Sequence, residues 1–234
     1  MNTGVYVHFP FCRQKCDYCD FYSIPLTGNG NRRVHDYIDA LNRESQTVKL
    51  LLENSTVDTI YLGGGTPSIM DARDISRILN IIKSKSAEVD GKAEITLECN
   101  PVDMNTEYIE KCVSAGINRV TLGLQTMSQV HHDFIGRSGS CPTVNLLKKF
   151  CEIKSIVHAV DIIAGIPGQK TGEFRDELNR VLECEPEHVS LYMLTCEEGT
   201  PLYNRFTPYA SWQDEQRDIF EEAIHTMKSN GYWH

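Results

Sequence analysis

EITLECNPVDMNTEYIEKCVSAGINRVTLGLQ, residues 94–125, contains one complete turn of the architecture. Residues 94–98 are β-prone with Ile95 and Leu97 apolar. Residues 106–115 carry helical spacing and are closed by Gly116, and residues 119–124 return to a β-prone run. Two strands joined through a helix of this length run parallel, because a hairpin returns the chain the opposite way.

The same alternation extends outward in both directions. Upstream, residues 5–8 read as a short strand, residues 9–32 as a functional loop ending in a Gly/Asn-rich stretch, and residues 33–52 as a helix bearing Val34, Tyr37, Ile38, Leu41, Val48, Leu51 and Leu52. A strand at 59–62 ends in Gly63-Gly64-Gly65, and a helix spans 71–84. Downstream come a helix at 143–153, a strand at 157–163 ending near Gly165-Ile166-Pro167-Gly168, a helix at 171–183, a strand at 189–194 and a helix at 212–230. Six β/α units in series imply a parallel sheet with helices outside it, either doubly wound or a barrel. Periodicity does not choose between them. The polar and glycine residues do, because they gather just after the strands: cysteines after the first, the triple glycine after the second, Glu98 ending the third, Gln125 after the fourth. That is where barrels build their sites, so the expectation is a partial (β/α)6 TIM-like barrel in one domain, residues 1–234.

Composition limits the function classes. The chain has 234 residues, 41% hydrophobic and 24% charged, with a formal charge of -9. No Lys/Arg-rich run marks a nucleic-acid partner. No apolar stretch is long enough for a spanning helix and the start lacks a leader pattern, so a cytoplasmic protein is expected. Six of the nine cysteines, Cys99, Cys112, Cys141, Cys151, Cys184 and Cys196, are scattered and expected to be reduced, buried side chains.

Cys12, Cys16 and Cys19 form C-x3-C-x2-C directly after the first strand. Three thiolates this close can seat an iron-sulfur cubane and leave one iron open to a substrate or cofactor. The competing reading is a closed zinc site completed by a residue such as His8, but the second distant cysteine pair usual in zinc sites is missing.

With Gly63-Gly64-Gly65-Thr66-Pro67, this loop resembles the radical S-adenosylmethionine (SAM) superfamily. Tyr6-Val7-His8-Phe9-Pro10-Phe11-Cys12, Cys16-Asp17-Tyr18-Cys19-Asp20-Phe21, Leu97-Glu98-Cys99-Asn100-Pro101, Leu122-Gly123-Leu124-Gln125 and Asp161-Ile162-Ile163-Ala164-Gly165-Ile166-Pro167-Gly168-Gln169 are similar to the oxygen-independent coproporphyrinogen III oxidase group, and most to its heme-chaperone branch. The resemblance implies a 4Fe-4S cluster on Cys12, Cys16 and Cys19, with SAM on the open iron. It implies SAM contacts from Tyr6, Tyr18, Gly64, Gly65, Thr66 and Glu98. Tyr18 alternatively packs the loop, Tyr6 the core, and Glu98 alternatively stands as a solvated edge carboxylate. Gln125, Arg137 and Asp161 match positions that hold a second SAM in the oxidase. Asp161, inside an apolar strand, is expected to face a polar cavity or a cation, with Arg137 a candidate partner. His131 and His132 are expected to be solvated and are given no role.

Two functions follow from the resemblance: heme binding and transfer to an acceptor protein, or SAM-dependent oxidative decarboxylation of coproporphyrinogen III, each with a reductant for the cluster. Phe21 separates them, because the oxidase has a further cysteine there and the chaperone branch does not. The resemblance also implies a heme-associated HN-x2-YW motif and a helical carboxyl-terminal domain after Tyr232. The chain stops at His234 and so reads as a truncated member, in which heme binding is expected to be weak.

Overall fold

The computed structural model describes residues 2–28 and 30–233. Along the chain run β1 (Asn2–Phe9), β2 (Phe11–Cys12), β3 (Ile24–Pro25), α1 (Gly30–Glu44), α2 (Lys49–Leu52), β4 (Thr56–Gly64), a 3-10 turn (Pro67–Ile69), α3 (Ala72–Lys85), β5 (Glu88–Cys99), α4 (Thr106–Ala115), β6 (Arg119–Gln125), α5 (Gln129–Phe134), α6 (Val144–Cys151), β7 (Val157–Ala164), α7 (Thr171–Leu182), β8 (His188–Met193), α8 (Pro201–Arg205) and α9 (Trp212–Ser229). The six-stranded sheet is ordered β1-β4-β5-β6-β7-β8, so each unit adds its strand to the same growing edge. A doubly wound sheet reverses its growth at a switch point, whereas a barrel wall does not. The order gives the partial (β/α)6 TIM-like fold and removes the doubly wound alternative.

Two compact units divide the chain. The first comprises Met1–Gln14, Phe21–Thr121 and Lys154–Val157, and the second Lys15–Asp20, Leu122–Ile153 and His158–His234. In the first, β1, β4 and β5 pair in parallel with Tyr6 opposite Tyr61 and Tyr61 opposite Thr96, while Val7, Leu62 and Leu97 form the next row. That next row is buried, and Ile75, Ile78, Leu79 and Ile82 of α3 are buried with it. In the second, Ile135, Ile163, Ile166, Leu194, Leu202 and Trp212 form a core on which Tyr18, Phe134 and Phe206 pack. Parallel pairing of β7 with β8 sets Asp161 opposite Ser190.

The 33–52 helix breaks into α1 and α2 because Ser45 and Thr47 donate their hydroxyls to the carbonyls of Asn42 and Glu44, offering the backbone an alternative to helix. Among the described residues the structure adds five short elements to those expected: β2, β3, the 3-10 turn, α5 and α8. Helix α3 starts at Asp71, whose carboxylate accepts from the N–H groups of Arg73 and Asp74 at 2.9 Å each. Asp71→Ala is expected to lower stability by about 1 kcal/mol, read as an earlier urea midpoint by circular dichroism. An unchanged midpoint would show that the cap contributes nothing.

Candidate functional site

The first unit carries an aromatic and acidic row at the carboxyl ends of β1, β4 and β5. Tyr6 Oη lies 3.0 Å from His8 Nδ1, and His8 Nε2 lies 2.8 Å from the Tyr22 carbonyl oxygen. A carbonyl only accepts, so Nε2 donates to it, and Nδ1 is left to pair with the Tyr6 hydroxyl. Rings of Tyr22, His8, Tyr6 and Tyr61 follow one another at centroid separations of 6.2, 5.9 and 6.1 Å. Burial and then the negative Glu98 push the Tyr6 phenol pKa up, so it stays a donor at neutral pH.

Glu98, near the end of β5, is half-buried. Tyr61 donates to its Oε1 at 2.9 Å and the Gly64 N–H to its Oε2 at 3.2 Å. Tyr61 and Tyr22 were not singled out from the sequence as site residues, and His8 only as a ligand in the competing zinc reading. The available signal was the parallel register, which sets Tyr61 beside Tyr6.

The triple glycine is fitted to its own unit. A Cβ on Gly65 would stand 2.5 Å from the Phe11 carbonyl oxygen, and one on Gly63 would meet Tyr61 and Glu98. At Gly64, where φ is +110°, a Cβ would stand 2.7 Å from His8 Nδ1. The Gly65 N–H donates to the Phe9 carbonyl at 2.7 Å and that of Thr66 to Phe11 at 2.8 Å. Cys12 sits in β2, which pairs with β3, and its carbonyl accepts from the Leu26 N–H at 2.7 Å. The two ends of the cysteine loop are thereby fixed side by side.

In the second unit, Cys16 and Cys19 bound a turn closed by the Cys19 N–H on the Cys16 carbonyl at 3.2 Å. Tyr18, between them, packs on the core and receives Arg137 Nη1 at 3.4 Å, while Nη2 of Arg137 donates to the Gly123 carbonyl at 2.8 Å. Burial drives the Tyr18 phenol pKa far up, against the opposing pull of Arg137. Gln125 ends β6 in the left-handed region, φ 66°. The buried carboxylate of Glu177, unmarked in the sequence, fastens the residues after it, accepting from the Thr126 hydroxyl at 2.9 Å and from the Met127 N–H. Asp161 is half-buried on β7 between fully buried Val160 and Ile162.

The expectation of solvated His131 and His132 is overturned. Both are buried, because residues 129–134 form α5 rather than a polar loop and turn the pair inward. Burial, then Arg137, lowers the His132 pKa, which favours the neutral ring.

No disulfide ties any of the nine cysteines. Among the described residues, no three of His, Cys, Asp and Glu are grouped as a single metal ion would require. A cubane makes a different demand, since each thiolate binds its own iron. Also among the described residues, no helix is long and apolar enough to cross a membrane.

Comparison with known proteins gives one consistent family. The sequence profile of the radical SAM superfamily matches residues 6–181. The heme chaperone HemW of Lactococcus lactis is 32% identical over 99% of this chain and 60% of that protein. HemW of Haemophilus influenzae is 33% identical over 98% of this chain and 60% of that protein. The chain therefore spans about 60% of the length of these curated relatives. Among solved structures, coproporphyrinogen III oxidase (HemN) of Escherichia coli superposes with a TM-score of 0.85 at 23% identity, over 99% of this chain and 53% of that one.

Proposed function

The chain belongs to the radical SAM superfamily, and from that premise we propose that Cys12, Cys16 and Cys19 hold a 4Fe-4S cluster whose open iron takes SAM. The donor chemistry supports this: three thiols within eight residues, none in a disulfide, on a loop whose ends are fixed by β2 and β3. When bound, the two groups supply one-electron chemistry that amino-acid side chains lack.

The chain's own residues bind and orient. Glu98, steadied by Tyr61 and the Gly64 N–H, offers a carboxylate whose position is set in advance and suits a cationic amino group. Tyr6 presents its ring with more than half its surface exposed, and His8 Nδ1 fixes its hydroxyl. Thr66, Gly64 and Gly65 line the same strand end, and Tyr18 supports the cysteine turn. Gln125, Arg137 and Asp161 are proposed as further cofactor contacts, at positions that match those holding a second SAM in the oxidase. The domain reading that accompanies this is one radical SAM core over residues 1–234, in a cytoplasmic protein.

For the whole protein we propose heme binding and transfer to an acceptor protein, with coproporphyrinogen III oxidation as the second reading. The similarity to HemW proteins at 32–33% identity over nearly the whole chain carries the first. Phe21, where the oxidase pattern has a cysteine, favours it further. The test joins this chain in frame to the remaining part of the Lactococcus lactis relative. Heme titration of the fusion is expected to give a shifted Soret band, with no decarboxylation of coproporphyrinogen III under anaerobic, reducing, SAM-replete conditions. Decarboxylation would sink the chaperone reading in favour of the oxidase.

A further inference from the structure

We infer that Arg205 is a positioning residue for the turn that carries Cys16 and Cys19, acting through Asp17; this rests on the cluster assignment proposed above. Asp17 lies between the two cysteines, and the second unit holds it at every polar group. Its N–H donates to the Ile135 carbonyl at 3.1 Å, and its own carbonyl accepts from the Leu202 N–H at 2.8 Å. Its Oδ2 accepts from Arg205 Nη2 at 2.9 Å and Nε at 3.2 Å. Gly136, at φ +64°, approaches so closely that a Cβ there would stand 2.3 Å from the Asp17 carboxyl carbon.

The same guanidinium donates to the Phe134 carbonyl and lies 5.0 Å over the Phe134 ring. One side chain at the end of α8 thus ties the cysteine turn to the end of α5. Leu202 and Ile135, whose backbones bracket Asp17, are both buried in the core of this unit. Nothing in C-x3-C-x2-C announces the contact. Arg205 is 188 positions from Asp17 and outside the residues 6–181 matched by the superfamily profile.

The physical need is clear from charge. The Asp17 carboxylate stands between Cys16 and Cys19, whose thiolates are the other two negative groups of these four residues once iron is bound, and Arg205 pairs with it. Arg205 offsets one charge and fixes the backbone that spaces the other two. Lysine keeps the charge but loses the planar fork and the stacking on Phe134.

The experiment uses the full chain, reconstituted anaerobically with iron and sulfide, and follows iron release to a ferrous chelator alongside thermal unfolding of the metal-free protein. Arg205→Ala is expected to release iron roughly fivefold faster, in line with loss of a half-exposed charge pair. Arg205→Lys should fall between it and the parent, with the unfolding of the metal-free chain unmoved. Asp17→Asn removes the charged acceptor without touching Arg205, and adding Arg205→Ala to it should change the rate little further. Parent-like release from loaded Arg205→Ala or Asp17→Asn overturns the inference while leaving the cluster intact. So do equal and additive effects of the two substitutions. If Arg205→Ala does not fold, the Asp17→Asn rate alone decides. A parent chain that takes up no iron sinks the cluster reading itself.

Discussion

Cys16→Ala is expected to reduce bound iron after anaerobic reconstitution from about four per chain to background, and Cys12→Ala and Cys19→Ala to do the same. The loss exceeds one third because the anchors are interdependent. Cys12 is held by β2, and Cys16 and Cys19 by a turn of their own. Removing one leaves an iron exposed to solvent and two thiolates that no longer span the cube. Cys112→Ala is the control: burial raises its thiol to about 11, so it stays protonated and is a poor ligand at neutral pH. Iron content and the broad visible absorbance of the cluster are the readouts. One equivalent of zinc without that absorbance, or full iron in Cys16→Ala, would overturn the assignment.

The elements most legible in the sequence were those whose signals agree. Helix α4 occupies the expected residues because the apolar spacing and Gly116 mark it in the sequence, and the Asn105 side chain caps its start in the structure. The six strands were found, five of them drawn short and β8 shifted by one residue: β5 begins at Glu88 rather than near 94, since its first residues are polar and lack alternation. Helices α5 and α8, of 6 and 5 residues, are shorter than the window in which periodicity registers, and missing α5 is what put His131 and His132 in solvent. The candidate residues were legible as types at strand ends. Their partners were not, because Tyr61 reaches Glu98 across 37 positions and Arg205 reaches Asp17 across 188, separations over which local pattern carries no information.

Gly64→Val is expected to abolish the change that SAM produces in the electron paramagnetic resonance spectrum of the reduced cluster, with iron content unchanged. The sequence alone suggests that the missing side chain leaves room for a ligand. The structure gives a different cause, because the room is taken: a Cβ would stand 2.7 Å from His8 Nδ1 and 3.0 Å from the Phe9 carbonyl, on a backbone at φ +110°. Valine, branched at Cβ, adds strain of about 1–3 kcal/mol there. Relief requires His8 to leave Tyr6 or the Gly64 N–H to leave Glu98, and both disturb proposed SAM contacts without reaching a cysteine. His8→Ala tests the route, since it removes the imidazole while keeping the glycine. It should weaken the SAM response only partly, because Glu98 retains both its donors, and in a Gly64→Ala background it should restore part of the response, the Phe9 carbonyl contact and the positive φ remaining. A normal SAM response in Gly64→Val would reduce the triple glycine to a turn and remove Glu98 and Tyr6 from the proposed site.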